Sequence, residues 1–330
     1  MATILVIGSN SFSGSSLVKS LLTAGLSVVA VSRREEVKAP YNLYSNLITE
    51  SNFNFYQIDL NSNENVISNL CKKHNVNTVI NFSAQSMVGE SWINPDQWYQ
   101  TNVVSLSKLI SSLRINSIKL DKFIQFTTPE VYGNTTGLIK ENFNFMPTTP
   151  YAISRAAGDL HLKAMFDNFD FPVIFTRAAN VYGEHQSSYR ILPKTFILGL
   201  TGKKLPLHGG GSSERSFIHI DDVSSALMKI IAGGEVGNTY HISTDRIVTI
   251  KKLVEMCCSI MNLNFEDFCQ ITEDRAGKDA AYKLDSTHIR SKLLWSDEIS
   301  LEDGLSRTYD WVVANLNEIL MYPLDYQHRR

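Results

Sequence analysis

Short apolar runs alternate with amphipathic stretches through the first half of the chain, and this alternation restricts the fold more than any other feature of the sequence. It predicts βα units around a parallel sheet, because parallel neighbours need a crossover connection that is usually a helix. Strands are predicted at Thr3–Ile7, 27–31, 53–58, 78–82, 123–127 and 173–176, and helices at 13–22, 95–115 and 151–168. The predicted fold class is α/β, with a doubly wound parallel sheet.

Polar residues stand directly after these predicted strands. The sequence SRR occupies 32–34 after the second strand, Asp59 follows the third, and AQ at 84–85 and TPE at 128–130 follow the fourth and fifth. Open α/β sheets bind their ligands outside the carboxyl ends of the strands. We therefore expect the functional site along that edge of the sheet.

The second half of the chain is organised differently. From Val181 onward the βαβ rhythm is broken by loops such as GGGSS at 209–213, and IDD at 220–222 predicts a helix start capped by aspartate. A chain of 330 residues is long enough for two lobes. We predict a sheet domain at 1–180, with a return contribution near 217–245, and a smaller interleaved C-terminal substrate lobe at 181–330.

Composition excludes several classes of function. The net charge of −2 provides no field for nucleic acid or an anionic membrane, and basic clusters such as Lys203-Lys204 are short. The apolar runs are strand-length or interrupted, and the first residues lead directly into a strand, which indicates a cytoplasmic protein. The cysteines lack CxxC pairs and the histidines lack an HExxH pair, so we expect free thiols and no metal; the cysteines are Cys71, Cys257, Cys258 and Cys269.

A glycine-containing turn follows the first strand and opens the first helix. In the sequence GSNSFSG at 8–14, Gly8 permits a tight turn and Gly14 allows the helix to pack closely on the strand. The free amides of the helix N-terminus would then face a pyrophosphate. This context predicts a dinucleotide-binding, Rossmann-type domain, against the simpler interpretation of a plain strand-to-helix turn.

The residues after the second strand bear on the choice of dinucleotide. A cofactor with a free ribose 2′-hydroxyl would normally meet Asp or Glu there, but this chain has Ser32, Arg33 and Arg34. Two cations favour a 2′-phosphate, so NADP is preferred over NAD; the alternative is that the arginines are solvated or stack on adenine. Asp59 is placed to accept a hydrogen bond from the adenine amino group, although a helix N-cap would explain it equally well.

Tyr151 and Arg155 are four residues apart on one predicted helix. At this spacing a cation favours the tyrosine phenolate and allows it to act as a base near neutral pH. The hydroxyl of Thr128 is placed to bind the same substrate oxygen. A half-buried tyrosine beside a surface arginine would show the same spacing.

Longer motifs decide between these interpretations. The chain contains TTPEVYG at 127–133, PYAISR at 150–155, RAANVYG at 177–183, RSFIHIDDV at 215–223 and DRAGKD at 274–279. Together with the N-terminal turn, they resemble the NAD-dependent epimerase/dehydratase family, an extended form of the short-chain dehydrogenases, nearly from end to end. An acidic residue before VYG and the AQS loop at 84–86 resemble the nucleotide-sugar 4,6-dehydratases in particular.

The resemblance implies a mechanism and a set of residues. Tyr151 would take the proton of the sugar 4-hydroxyl while a recycled nicotinamide oxidises carbon 4, and Glu130 would then remove the proton at carbon 5 before water leaves. The implied catalytic residues are Thr128, Glu130, Tyr151 and Arg155. Tyr151 and Arg155 also belong to the cofactor positions, the others being Gly8, Ser11, Phe12, Gly14, Ser32, Arg33, Asp59, Leu60, Ser83 and Ala84. The implied substrate-binding positions are Gln85, Ser86, Asn180, Arg190, Lys194, Arg215 and Arg275.

Three positions depart from the family pattern. Ser11 replaces the central glycine of the turn, and Arg155 replaces the usual lysine, whose compact contacts a planar guanidinium does not reproduce. Pro129 occupies the place of an aspartate that protonates the departing hydroxyl in glucose-type dehydratases, so Glu130 or water must supply that proton.

Other functions of the same family stay open at this level. They are a 5,6-dehydratase, a 4-epimerase, a uronate decarboxylase and a non-catalytic dinucleotide-binding protein. The family usually forms homodimers through two long helices of each subunit, which the stretches 98–109 and 151–165 would supply; ordinary core helices show the same spacing of apolar residues.

Overall fold

The structure is a computed structural model that describes residues 3–49, 51–62, 65–135, 137–273 and 283–328. Its strands are β1 Thr3–Ile7, β2 Ser27–Ser32, β3 Phe53–Gln57, β4 Val76–Asn81, β5 Lys122–Thr127, β6 Leu138–Ile139, β7 Val173–Ala178, β8 Asn180–Tyr182, β9 Leu205–His208, β10 Glu214–His219, β11 Thr239–Ile242, β12 Ile247–Thr249, β13 Cys269–Thr272 and β14 Lys283–Leu284. Its α-helices are α1 Phe12–Thr23, α2 Val66–His74, α3 Val88–Ile93, α4 Pro95–Tyr99, α5 Leu106–Ile115, α6 Pro150–Phe169, α7 Ile191–Leu200, α8 Ile220–Gly233, α9 Ile250–Met261, α10 Phe265–Phe268, α11 Thr287–Leu293 and α12 Leu301–Ile319.

The predicted parallel sheet is confirmed. Seven strands pair in the order β3-β2-β1-β4-β5-β7-β11, and every neighbouring pair is parallel. β1 lies in the middle of the sheet, and β2 and β3 extend it to one edge. The chain then crosses to the other side of β1, where β4, β5, β7 and β11 extend the sheet to the other edge. The order therefore reverses beside β1, where doubly wound sheets bind their ligands.

Side chains of β1 point alternately into two separate cores. Ile4 and Val6 belong to a core with α1 and α8, whereas Leu5 and Ile7 belong to a core with α2, α5 and α6. All four are at most 2% exposed. Helices thus cover both faces of the sheet, and its carboxyl edge is left as the place where polar groups from several strands meet.

The second half of the chain forms smaller sheets and also returns to the large one. β12, β10 and β8 make a three-stranded sheet, while β11 adds an edge strand to the parallel sheet. Helices α7, α9 and α12 share a third core that includes Phe196, Leu253 and Leu305. The division into domains at residue 180 stays a prediction. No helix in the described part of the chain is long and apolar enough to cross a membrane.

One local prediction is confirmed with a difference, and one was wrong. The stretch 95–115 is helical throughout, but its middle, Gln100–Ser105, is a π-helical segment between α4 and α5. Helix α8 is not capped by aspartate: His219 is the N-cap, and its Nδ1 accepts from the backbone amide of Asp221 at 3.2 Å. Asp221 and Asp222 lie instead in the first helical turn, where negative charge stabilises the helix dipole.

Candidate active site

The glycine turn after β1 has no room for side chains at two positions. Gly8 has φ +82°, and a Cβ there would lie 2.9 Å from the backbone nitrogen of Ser83. A Cβ on Gly14 would lie 2.3 Å from the carbonyl oxygen of Gly8. Glycine is therefore required for both the turn and the close approach of α1, which leaves a narrow cradle of backbone amides of the kind a pyrophosphate needs.

Ser11, which stands where the family has glycine, is the N-cap of α1. Its Oγ accepts from the amide of Gly14 at 3.1 Å, and Phe12 is the first residue of the helix. The serine therefore stabilises the start of the helix and uses one of the free amide donors to do so.

Asn10 connects the glycine turn to the arginine-containing loop after β2, and sequence reasoning missed it. Its Nδ2 donates to the carbonyls of Arg34 at 3.3 Å and Glu35 at 2.7 Å. Arg33 lies in the same loop, directly after Ser32, the last residue of β2. The loop is thus held against the turn, and the signal in the sequence was a polar amide inside a phosphate-type turn.

Asp59 stabilises a turn, not a helix. Its Oδ1 accepts from the amide of Asn61 at 2.9 Å, whereas the N-cap residue of α2 is Asn65. The helix-cap alternative for Asp59 is therefore wrong. Leu60, the next residue, is partly buried and packs against the core that contains residues of α2.

Two asparagines hold the loop that follows β4 in place. Asn81 Oδ1 accepts from the amide of Ser83 at 3.1 Å. Asn102, in the π-helical segment, exchanges two hydrogen bonds with the backbone of Gln85, at 2.9 and 3.0 Å, and also donates to Ser154 Oγ at 2.9 Å. Asn102 thus ties the loop after β4 to helix α6, and π-helical turns often occur at such functional sites.

A polar cavity of about 600 Å³ opens beside this loop. The residues that line it are Asn61, Gln85, Asn94, Asp96, Gln97, Gln100 and Thr101. Ala84 is half-buried and Ser86 is exposed next to it. The side chains around the cavity are mainly amides and hydroxyls, which donate and accept hydrogen bonds without strong charge.

Tyr151 and Thr128 meet at the N-terminus of α6. Thr149 caps this helix through a 3.1 Å bond from the Ala152 amide, and Pro150 takes the first helical position, where its missing amide proton costs nothing. Tyr151 follows, and it shares a side-chain hydrogen bond with Thr128. Thr128 also accepts from the amide of Glu130 at 3.3 Å and so begins the short 3₁₀ turn Pro129–Tyr132.

The charges around Tyr151 act in opposite directions. Arg155 and, more weakly, Arg190 lower the pKa of the Tyr151 hydroxyl, whereas Glu130 raises it. Burial is the largest effect, and it raises the pKa of Tyr151 above its ordinary value. Arg155 thus acts in the predicted direction, and the role of Tyr151 as a base near neutral pH stays a prediction.

Arg155 lies in a chain of buried charges along α6. Its Nη2 donates to the carbonyl of Phe126 at the end of β5. One turn further, Asp159 forms an ion pair with Arg177 at 2.9 Å, and both side chains are fully buried. The Arg177 guanidinium also lies 5.2 Å from the ring centroid of Tyr132, in the 3₁₀ turn that carries Glu130. The pair therefore joins the helix of Tyr151 to the turn of Glu130.

His241 is hydrogen-bonded to the same turn. Burial lowers its pKa to about 3, so the ring is neutral. Its Nδ1 then donates to the carbonyl of Asp285 at 3.2 Å, and its Nε2 accepts from the hydroxyl of Tyr132 at 2.8 Å.

The other predicted substrate residues lie in the second half of the chain. Arg190 is the N-cap residue of α7 and close enough to lower the pKa of Tyr151, while Lys194 lies one turn further and pairs with Asp325 at 2.7 Å. Asn180 begins β8, and Arg215 on β10 donates to the carbonyl of Glu214. Arg275 lies outside the described residues.

Comparisons with known proteins agree with this geometry. Residues 5–308 match the family described as GDP-mannose 4,6 dehydratase. A trifunctional UDP-glucose 4,6-dehydratase/UDP-4-keto-6-deoxy-D-glucose 3,5-epimerase/UDP-4-keto-L-rhamnose-reductase of Arabidopsis thaliana is 31% identical over 80% of this chain. The chain spans only 40% of that relative's length. A dTDP-glucose 4,6-dehydratase of Xanthomonas campestris is 27% identical, with 96% of this chain and 94% of the relative covered.

Solved structures show the same likeness. DesIV, a dTDP-glucose 4,6-dehydratase from Streptomyces venezuelae with NAD and TYD bound, has a TM-score of 0.89 at 26% identity and covers 96% of this chain and 98% of its own. A UDP-glucuronic acid 4-epimerase from Bacillus cereus with UDP-glucuronic acid and NAD has a TM-score of 0.86 at 25% identity, covering 94% and 99%. The chain is therefore a member of the GDP-mannose 4,6 dehydratase family.

Proposed function

We propose that the protein is a nucleotide-sugar 4,6-dehydratase that converts an NDP-hexose to an NDP-4-keto-6-deoxyhexose. The observation that carries the proposal is the grouping of three residues: Tyr151 and Thr128 are buried, and the charge of the half-buried Glu130 acts on the tyrosine hydroxyl. A simple 4-epimerase needs no base at carbon 5, so a carboxylate beside the tyrosine favours dehydration.

Each residue has a defined task in this reaction. Tyr151 accepts the proton of the 4-hydroxyl, Thr128 hydrogen-bonds the same oxygen, and Arg155 stabilises the phenolate through its charge. Glu130 takes the proton at carbon 5 and, now protonated, gives it to the leaving 6-hydroxyl, since Pro129 has no proton to offer. A bound nicotinamide would supply the transfer of hydride from carbon 4 to carbon 6. A proton from solvent, relayed by Glu130, is then added at carbon 5, and Tyr151 releases its own proton to solvent.

The residues of the glycine turn fit a dinucleotide, because Gly8 and Gly14 let the backbone of the turn pack closely against the start of α1, as a pyrophosphate-binding turn requires. NAD is present in the solved structures of the related enzymes DesIV and the Bacillus cereus epimerase. We propose NADP as the preferred form here, held at its 2′-phosphate by Arg33 with support from Arg34. The other proposed cofactor contacts are Ser11, Phe12, Ser32, Asp59, Leu60, Ser83, Ala84, Tyr151 and Arg155.

The nucleotide diphosphate is proposed to bind to residues of the second half of the chain. Arg190, Lys194 and Arg215 provide cations and Asn180 an amide, with Arg275 as a further proposed contact. Gln85 and Ser86 would contact the sugar from the other side. All four cysteines are free thiols, as is typical of proteins in a reducing compartment, and we propose the cytoplasm.

The experiment that tests the function is a substrate panel. The protein is incubated in heavy water with dTDP-, UDP-, GDP- and CDP-hexoses, with NAD and NADP in separate series, and each sugar nucleotide is followed by mass spectrometry. We expect loss of one water from one of them, deuterium at carbon 5, and faster turnover with NADP. Loss of water without transfer to carbon 6 would indicate a 5,6-dehydratase, and tight binding without any turnover would contradict an enzymatic role.

A homodimer is proposed on the basis of exposed apolar residues on α6. Ile153 and Leu160, seven residues apart and so on one helix face, are 42% and 49% exposed, and Val104 on the adjoining segment is 39% exposed. Trp98 is fully buried and contributes nothing to that face. We expect a dimer in light scattering at micromolar concentration and a monomer for Leu160→Glu. The control Val313→Glu, an exposed position on α12, should stay dimeric; a Leu160→Glu dimer would contradict the proposed interface.

A further inference from the structure

The last described residues of the chain cross the mouth of the site. Helix α12 ends at Ile319, and the segment 320–328, which we name the tail, lies beyond the residues that match the family. The tail first touches the loop after β2, where the ring of Tyr322 lies edge-on to Tyr41 at 5.2 Å and its hydroxyl donates to the carbonyl of Ala39 at 3.3 Å.

The middle of the tail contacts helix α7 and the residue just before its N-cap, close to two proposed substrate-binding residues. Asp325 pairs with Lys194 at 2.7 Å, and the ring of Tyr326 lies 5.3 Å from that of Tyr189. Lys194 and Arg190 are one helical turn apart, and Arg190 is close enough to Tyr151 to influence its pKa. The tail therefore contacts Lys194, one helical turn from the arginine that acts on the catalytic tyrosine.

The end of the tail contacts helix α4. The ring of His328 stacks on Trp98 at 5.3 Å, and its Nε2 lies 2.7 Å from Oε1 of Gln97, a residue that lines the 600 Å³ cavity together with Gln85. Burial raises the pKa of the Tyr326 hydroxyl, and the positive charges of Arg33 and Arg34 act in the opposite direction. The tail thus connects helix α7, which carries Lys194, with helix α4 beside the 600 Å³ cavity.

A diphosphate can replace Asp325 as the partner of Lys194. The side chain of Asp325 is 86% exposed, so its contact with Lys194 contributes little to stability and is broken easily. A diphosphate carries more negative charge than one carboxylate and competes for the same ammonium group. If Asp325 stayed in place, its charge would repel the phosphates.

We propose that Asp325 is a positioning residue for the nucleotide site: it holds Lys194 until the diphosphate of the substrate displaces it, and the tail lifts when the nucleotide binds. This inference rests on the proposed function, which assigns Lys194 to the diphosphate. Asp325 touches no reacting atom, so its effect belongs to substrate affinity and not to the chemical step.

The test compares nucleotide affinities in a double-mutant cycle. Binding of UDP and of dTDP to Asp325→Asn, Lys194→Met and the double variant is measured by calorimetry at 25 mM and at 500 mM NaCl. We expect Asp325→Asn to bind about two- to fivefold more tightly at low salt, with the gain lost at high salt and absent in the Lys194→Met background. The control Glu318→Gln, an exposed carboxylate on α12, should change nothing. Unchanged or weaker binding by Asp325→Asn would overturn the proposal.

A second readout follows the tail itself. Quenching of tryptophan fluorescence by acrylamide should increase when UDP or dTDP is added, because His328 leaves the ring of Trp98, and the increase should be absent in Trp98→Phe. Protection of Trp98 on binding would show that the tail closes and would refute the proposed displacement.

Steady-state kinetics separate the two proposals. Asp325→Asn should lower KM with kcat unchanged. A wild-type protein that turns over a sugar nucleotide, combined with an Asp325→Asn variant that shows the same KM, overturns only the role of Asp325. A wild-type protein that binds no nucleotide overturns the proposed substrate class and this inference together.

Discussion

Replacing Tyr151 with phenylalanine is expected to lower kcat by roughly 10²- to 10⁴-fold, the range that a positioned acid–base group contributes. The substitution removes one oxygen from a side chain that is 9% exposed and leaves no large cavity, so the fold and the nucleotide affinity should be retained. The measurement is steady-state turnover of the substrate found in the panel, together with calorimetric binding of the matching nucleotide diphosphate.

The pH dependence of the wild-type enzyme provides an internal check of the same role. Burial raises the pKa of Tyr151, and the phenolate is the active form, so kcat should increase with pH through and above the neutral range. Tyr151→Phe should lose this limb of the profile. The control Tyr99→Phe, on the exposed side of α4, should keep both rate and profile. A Tyr151→Phe enzyme with more than a tenth of wild-type activity would rule out the tyrosine as the base.

Replacing Glu130 with glutamine is expected to lower product formation by a similar roughly 10²- to 10⁴-fold, because the amide cannot take the proton at carbon 5. The 3₁₀ turn Pro129–Tyr132 begins at Thr128, whose side chain accepts from the backbone amide of Glu130, and glutamine has nearly the same shape as glutamate, so the turn should be unchanged. The decisive measurement is isotopic: deuterium from heavy water should no longer enter carbon 5 of the recovered sugar nucleotide.

The same variant has a second expected effect on the neighbouring tyrosine. The negative charge of Glu130 raises the pKa of Tyr151, so its removal should lower that pKa and move the residual activity to lower pH. Glu266→Gln, an exposed carboxylate on the remote helix α10, is the matched control. Undiminished deuterium at carbon 5 in Glu130→Gln would show that another group is the base.

The parallel sheet could be predicted because its signal is local. Apolar runs of strand length mark β1, β2, β4 and β7, and each predicted boundary lies within two residues of the observed one. The position of the glycine turn was equally accessible, since a turn directly after an N-terminal strand has few alternative structures.

The polar connections of the site could not be predicted, because they join residues that are distant in sequence. Asn102 bonds Ser154 across 52 positions, and Asn10 bonds the carbonyl of Arg34 across 24. Helical spacing also gives no warning of the π-helical segment that carries Asn102. The effect of burial on Tyr151 was missed for the same reason, since an i, i+4 pattern reports a charge but not the depth at which it lies.

The buried pair of Asp159 and Arg177 has a consequence for how such a protein can evolve. Removing either partner leaves an uncompensated charge in the interior and is expected to cost about 3–5 kcal/mol, a large share of the stability of a typical domain. Replacing both with apolar residues of similar volume avoids that cost. Selection should therefore allow positions 159 and 177 to change together but not singly, and lineages that lose one should be found to have lost both.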